Sequence, residues 1–168
     1  MASGAFFDLN TALRLAPVIT ASATVTFVGN LQWIYELFTR AELAAKDKTF
    51  LPRWFNTAFW IGMPKVLGLV TASAIGAVLN IRSNPGDLKA KGAYAWYFYG
   101  AVLSAAHLLF IPAAVARTKE IAEDAKGDGQ SVEEMKGWLR VNALRTLTVD
   151  TGAWICFVIA TVKALGPA

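Results

Sequence analysis

A chain of 168 residues that is 55% apolar and only 17% charged is too oily for an ordinary soluble domain, which carries about 25% charged residues. Its net charge of +4 is spread along the chain, which suits attraction to anionic lipid and gives no footprint for nucleic acid. One histidine and one cysteine cannot build a multi-His/Cys zinc site, a bis-histidine haem or an iron–sulfur cluster, and the chain has no phosphate loop, dinucleotide fingerprint or nucleophile elbow.

Four apolar segments are each long enough to cross about 30 Å of hydrocarbon, which takes about 20 helical residues. Barrel strands would be shorter and alternating. The pattern predicts an all-α, four-helix transmembrane bundle, a single integral membrane domain over 1–168.

The first span covers about 16–38. Asn10 or Thr11 is placed to cap it, and Arg40 closes it. Its apolar run is too long for a signal peptide, and Asp8 and Arg14 are its early charges, so it reads as a retained helix. Ser22, Thr26 and Asn30 recur every four residues as a polar seam of the kind that glues helices together. Gln32 follows, and then Glu36, at i, i+4 spacing from Arg40 near the span end.

A polar link over 39–52 leads to Trp54, Phe55, Phe59 and Trp60, an aromatic cluster suited to the membrane interface. The second span covers about 59–81, with Pro64 in its first turns and Gly68, Ala72 and Gly76 as a ladder of small residues for close packing. Ser83, Asn84, Pro85 and Gly86 mark a turn.

The third span covers about 93–116 and carries the single histidine, His107, on one face with Gly100, Ser104, Ile111 and Ala114. Two roles are open to a histidine at this depth: a hydrogen bond between helices, or a proton acceptor with an unperturbed pKa near 6.5. Lys119 to Ala125 can prolong this helix into water, and Gly127, Asp128 and Gly129 break it. Ser131 and Glu134 have the spacing of a capping box, which predicts that the last helix starts before it enters the membrane.

The fourth span, about 141–165, holds the most informative residues: Asn142, Arg145 and Asp150. Charges inside a membrane helix are costly and face the bundle interior or a cavity. Asn142 and Arg145 lie near enough to the span end that interfacial anchoring, with a snorkelling arginine, is an alternative. Asp150 is deeper and too short to snorkel, which favours a site role with a partner on another helix. Residues five apart on an α-helix point in different directions, so a direct Arg145–Asp150 contact is possible but not favoured. Cys156 lies mid-span as a buried thiol.

Lysines and arginines near the span ends are more numerous after the first and third spans (Arg40, Lys46, Lys48, Arg53, Arg117, Lys119, Lys126, Lys136, Arg140) than on the other side (Arg14, Arg82, Lys89, Lys91, Lys163). That bias puts both odd loops in the cytosol and both termini across the membrane.

The approach to the fourth span reads Trp138-x-x-x-Asn142-x-x-Arg145 behind a charged lead-in from Glu134 to Lys136. It resembles the closing motif of the anthrone oxygenase-like family of small, four-helix integral membrane proteins of filamentous fungi. Gly62-x-Pro64 at the head of the second span, and Pro112 with Thr118 and Lys119 at the end of the third, are similar to the family too. The segment Ala116-Arg117-Thr118-Lys119 departs from the family's Pro-Thr-Asn-Lys. The resemblance implies a cofactor-independent oxidation of a lipophilic, aromatic anthrone to a quinone with molecular oxygen in an intracellular membrane such as the endoplasmic reticulum. No cofactor or metal is implied. His107 would then be the base, Arg145 and Asn142 the stabilisers of the oxyanion, and Asp150 the group that orients His107. The alternative is a non-catalytic integral membrane subunit or scaffold that binds lipid or partner helices. A homo-oligomer or a membrane partner protein fits either reading.

Overall fold

The computed structural model describes residues 8–40, 49–124 and 130–167. Four helices are long and apolar enough to cross a membrane: Leu9–Leu37, Phe50–Ser83, Tyr94–Glu123 and Gln130–Leu165. They overlap the four expected spans and extend most of them at the ends. The first two are the continuous helices α1 (Leu9–Leu37) and α2 (Phe50–Ser83). A short α3 (Pro85–Ala90) fills the turn that follows, capped by the Asn84 side chain. The third span comprises α4 (Tyr94–Ala106), a 3₁₀ turn (His107–Phe110) and α5 (Ile111–Glu123). The fourth comprises α6 (Gln130–Arg145), a π-helical turn (Thr146–Asp150) and α7 (Thr151–Leu165).

Each span packs on its sequence neighbours, and the fourth closes on the first. The order is up-down-up-down. At one end Arg14 of α1 bonds the Ala164 carbonyl of α7 (2.6 Å) and pairs with Asp87 of α3 (2.5 Å), so the start of α1 and the end of α7 lie together. At the other end Tyr35 of α1 meets Phe55 of α2 and Trp138 of α6 edge to face, at 5.2 and 5.3 Å. The outer surface is apolar, with Leu109, Leu147 and Val162 all more than two-thirds exposed, as lipid contact requires.

Several local expectations shift. Asp8, not Asn10 or Thr11, caps α1, accepting from both of their backbone N–H groups. Its carboxyl is held below the ordinary carboxylate range, chiefly by the Thr11 hydroxyl. In the proposed seam Ser22 does accept a bond from Trp154 Nε1 (2.9 Å), but Thr26 and Asn30 are exposed. The buried stripe of α1 is Pro17, Ala21, Thr24, Val28 and Tyr35. Pro17 has no N–H for the Leu13 carbonyl, and the Asn80 amide of α2 donates to it instead (2.6 Å). Of the small-residue ladder only Gly76 touches α1, against Pro17; Gly68 and Ala72 face outwards. The aromatic cluster divides: because α2 starts at Phe50, Phe55 and Phe59 turn into the core while Trp60 stays exposed. The capping box is not made, since Glu134 pairs with Arg117 and the Ser131 N–H bonds the Asp124 carboxylate (2.8 Å). Gly127, Asp128 and Gly129 lie outside the described residues.

Candidate functional site

Two irregular turns face each other at the middle of the bundle. Pro112 offers no N–H to the Leu108 carbonyl, so the third span tightens ahead of it, and the Ile111 N–H bonds Leu108 instead. His107 opens that 3₁₀ turn and is 3% exposed. In the fourth span the backbone widens over Thr146–Asp150; the Thr151 N–H and hydroxyl both bond the Thr146 carbonyl, five residues back.

The wide turn overturns one expectation. On a regular α-helix, residues 145 and 150 would stand about 140° apart around the axis. The i→i+5 closure stacks them, and Arg145 Nε donates to Asp150 Oδ2 at 3.2 Å. The other carboxylate oxygen lies 2.7 Å from His107 Nδ1. Asp150 therefore has a partner on another helix, as its depth suggested, and one on its own helix as well. Arg145 also donates from Nη2 to Asn142 Oδ1 (2.7 Å), and Asn142 Nδ2 donates to Gln32 Oε1 of α1 (2.7 Å). One continuous chain, Gln32–Asn142–Arg145–Asp150–His107, joins three spans. Nothing of Arg145 snorkels: its side chain is only 11% exposed.

An ionised carboxylate that already accepts from Arg145 can only accept from His107, so Nδ1 carries a proton, and in a neutral imidazole the lone pair then lies on Nε2. The chain of bonds runs beside a cavity of about 60 Å³. Its wall includes His107, Asn142 and Arg145, with Tyr35 and Trp138 and apolar side chains from the first three spans, among them Leu31, Phe59, Val66 and Ile111. Val115, also in the wall, is 38% exposed, so the cavity reaches towards the lipid-facing surface. The cavity is apolar and contains both His107 and Arg145, although a ligand of drug-like size needs several hundred Å³ and would have to part its walls. Asp150 does not line it; the carboxylate stands behind His107 and Arg145 and fixes both. Among the described residues no group of three or more His, Cys, Asp or Glu side chains is placed to hold a metal ion.

Sequence spacing singled out four members of this chain and passed over Gln32 as a partner. Gln32 sits beside the more regular Ser22, Thr26, Asn30 series, and spacing on α1 alone does not show which polar residue faces α6.

The fold and site together define a multi-pass membrane protein with a polar, charge-bearing network buried against an apolar cavity. The chain is 33% identical over 157 residues to epoxidase pydX of Acremonium sp, an alignment covering 91% of this chain and 94% of the relative. It is 30% identical over 157 residues to epoxidase gkaX of Penicillium citrinum, with the same coverage, and 28% identical over 162 residues to oxaleimides biosynthesis cluster protein N of Penicillium oxalicum (91% and 89%). The chain belongs to the family of these fungal epoxidases. No family model matches the chain, and no solved structure matches it.

Proposed function

We propose that this protein is a membrane-embedded oxidative enzyme of secondary-metabolite biosynthesis. In this reading a lipophilic substrate enters the cavity from the bilayer and is oxidised beside His107 and Arg145. The observation that carries it is the meeting, in one apolar cavity, of a histidine held by a carboxylate and a guanidinium held by an amide. His107 Nε2 takes a proton from an acidic C–H or O–H of the substrate. Arg145 stabilises the resulting oxyanion with the donors that Asp150 and Asn142 leave free, in a low-dielectric site where such bonds are strong. Asp150 and Asn142 act as positioning residues. Asp150 sets the histidine tautomer, and Asn142, anchored by Gln32, aims the guanidinium.

This arrangement supports the anthrone-to-quinone oxidation implied by the resemblance to the anthrone oxygenase-like family. There the deprotonated anthrone is the reductant of O2. One anthrone and one O2 give one anthraquinone and one water, and no outside electrons are needed. The names of the relatives favour a second reading, oxygen transfer to a carbon–carbon double bond. That reaction places one oxygen atom in the epoxide and reduces the other to water, so it draws two electrons and two protons from a co-substrate reductant. The protein is proposed to work in an intracellular membrane such as the endoplasmic reticulum, alone, as a homo-oligomer or with a membrane partner.

Purified protein in detergent, given ¹⁸O2 and either an anthrone or an alkenyl polyketide, with and without reduced nicotinamide, tests both readings. The first expects quinone carrying one ¹⁸O, formed faster than by autoxidation and without added reductant. Epoxide formed only with reductant favours the second. Well-folded protein inactive in every arm leaves the non-catalytic subunit.

A further inference from the structure

Trp138 opens the motif that continues through Asn142 and Arg145, yet the hydrogen-bonded chain does not include it. Its residue is 5% exposed, and its Nε1–H is, among the described residues, the one buried side-chain polar atom without a hydrogen-bond partner. Buried indole N–H groups normally find an acceptor. Trp138 stands in the wall of the same cavity as His107 and Arg145. Positions 138, 142 and 145 share one face of α6, and the first and last are separated by about 10 Å along the axis. The cavity wall thus holds the charged Arg145 side chain and an indole whose N–H is buried and unpaired. Tyr35 and Phe55 meet the indole edge to face at 5.3 and 5.4 Å and hold its plane fixed.

We propose that Trp138 Nε1–H is a substrate-recognition donor, and that the substrate is a flat lipophilic molecule bearing a neutral carbonyl oxygen distinct from the oxygen held by Arg145. An uncharged donor walled by Tyr35 and Phe55 suits a carbonyl; a carboxylate placed there would have no counter-charge. Only the identity of the reacting end rests on the proposed oxidation. The recognition of a ketone by Trp138 stands apart from it.

The test uses full-length protein in micelles with ¹⁵N-labelled tryptophan and ¹³C-methyl-labelled methionine. The probes are 9-fluorenone and its carbonyl-free counterpart, fluorene. Six indole signals are expected, and Trp138→Phe assigns the one that matters, with Trp138→Tyr as the alternative if that variant does not fold. Met63 lines the cavity and reports occupancy. The proposal expects both probes to shift Met63, and fluorenone alone to move the Trp138 indole proton downfield. It also expects Trp138→Phe to weaken fluorenone binding about tenfold, the usual scale for one lost hydrogen bond, and to leave fluorene binding unchanged. A Met63 shift with an unmoved indole proton would overturn it, meaning that the rings of Phe55 and Tyr35 already satisfy the N–H. So would a cavity that admits neither probe. Wild type that binds fluorenone through Trp138 but oxidises nothing would sink the proposed function and leave this donor in place.

Discussion

Replacing Asp150 should cost more than replacing Arg145, and replacing both should cost less than replacing Asp150 alone. Asp150 is the shared acceptor of two buried donors, with its side chain 3% exposed. In Asp150→Leu the guanidinium stays buried, keeps only Asn142 as a partner and cannot shed its proton. An uncompensated buried charge of this kind costs about 3–5 kcal/mol. Arg145→Leu leaves Asp150 still bonded to His107 Nδ1, so the carboxylate keeps one of its two side-chain partners and the loss falls to about 1–3 kcal/mol. The double variant Arg145→Leu with Asp150→Leu removes both charges and leaves a neutral histidine short of one acceptor, at about 1–2 kcal/mol. The coupling between the two sites is then at least about 2 kcal/mol, well above the roughly 0.6 kcal/mol average for interhelical hydrogen bonds in membrane proteins. Reversible unfolding by SDS in mixed micelles, followed by far-UV circular dichroism, measures all four corners of the cycle. Additive losses, or a larger loss for Arg145→Leu than for Asp150→Leu, would refute the reasoning.

His107→Ala should lower turnover of any substrate found by about 10² to 10⁴, the usual contribution of a general base, with the unfolding midpoint moved much less than by Asp150→Leu; full activity in that variant removes the base. Gly100→Ala should destabilise by about 1–3 kcal/mol, because a Cβ there would clash with the fully buried Phe157 ring, whereas the same change at the open Gly68 should be nearly silent in the same unfolding assay. Gln32→Leu deprives the Asn142 amide of its acceptor and should cost about 1–3 kcal/mol, with a further loss of turnover as Arg145 loses its brace. Tags at the two ends should show the same protease accessibility in sealed vesicles, because α1 begins and α7 ends at one end of the bundle; opposite accessibility would break the topology.

The number and order of the helices were legible because lipid imposes a simple rule: a run of about 20 apolar residues must satisfy its backbone internally, and a helix does that. The faces of those helices were less legible. In water the polar side of a helix points out, but in lipid the outside is as apolar as the core. Spacing alone therefore gave Thr26 and Asn30 an inward role that belongs to Thr24 and Val28. The same ambiguity made Gly68 and Ala72 look like contacts when the packed stripe of α2 runs through Gly62, Val66, Val70, Ser73 and Ala77. A charge at mid-span escapes it, which is why Asp150 could be placed inside the bundle from sequence, whereas Asn142 and Arg145 kept an interfacial alternative.

Their mutual geometry could not be read, because it depends on departures from the regular helix that the spacing argument assumes. Pro112 at least announces its 3₁₀ turn. The π turn has no such marker: Thr146, Leu147, Thr148, Val149 and Asp150 would all fit a regular helix. What favours the wider turn is a tertiary demand. With α-helical geometry Arg145 and Asp150 would stand about 140° apart, and each buried charge would need a separate partner. One lengthened turn, with the Thr151 hydroxyl bonding the Thr146 carbonyl, brings both charges inwards and pairs them. Such turns are frequent at functional sites, and this one places a carboxylate where it can hold a histidine and an arginine at once. The irregular backbone is therefore part of the site, and a substitution that restored regular α-helix across 146–150 would dismantle the network without altering any of its five side chains.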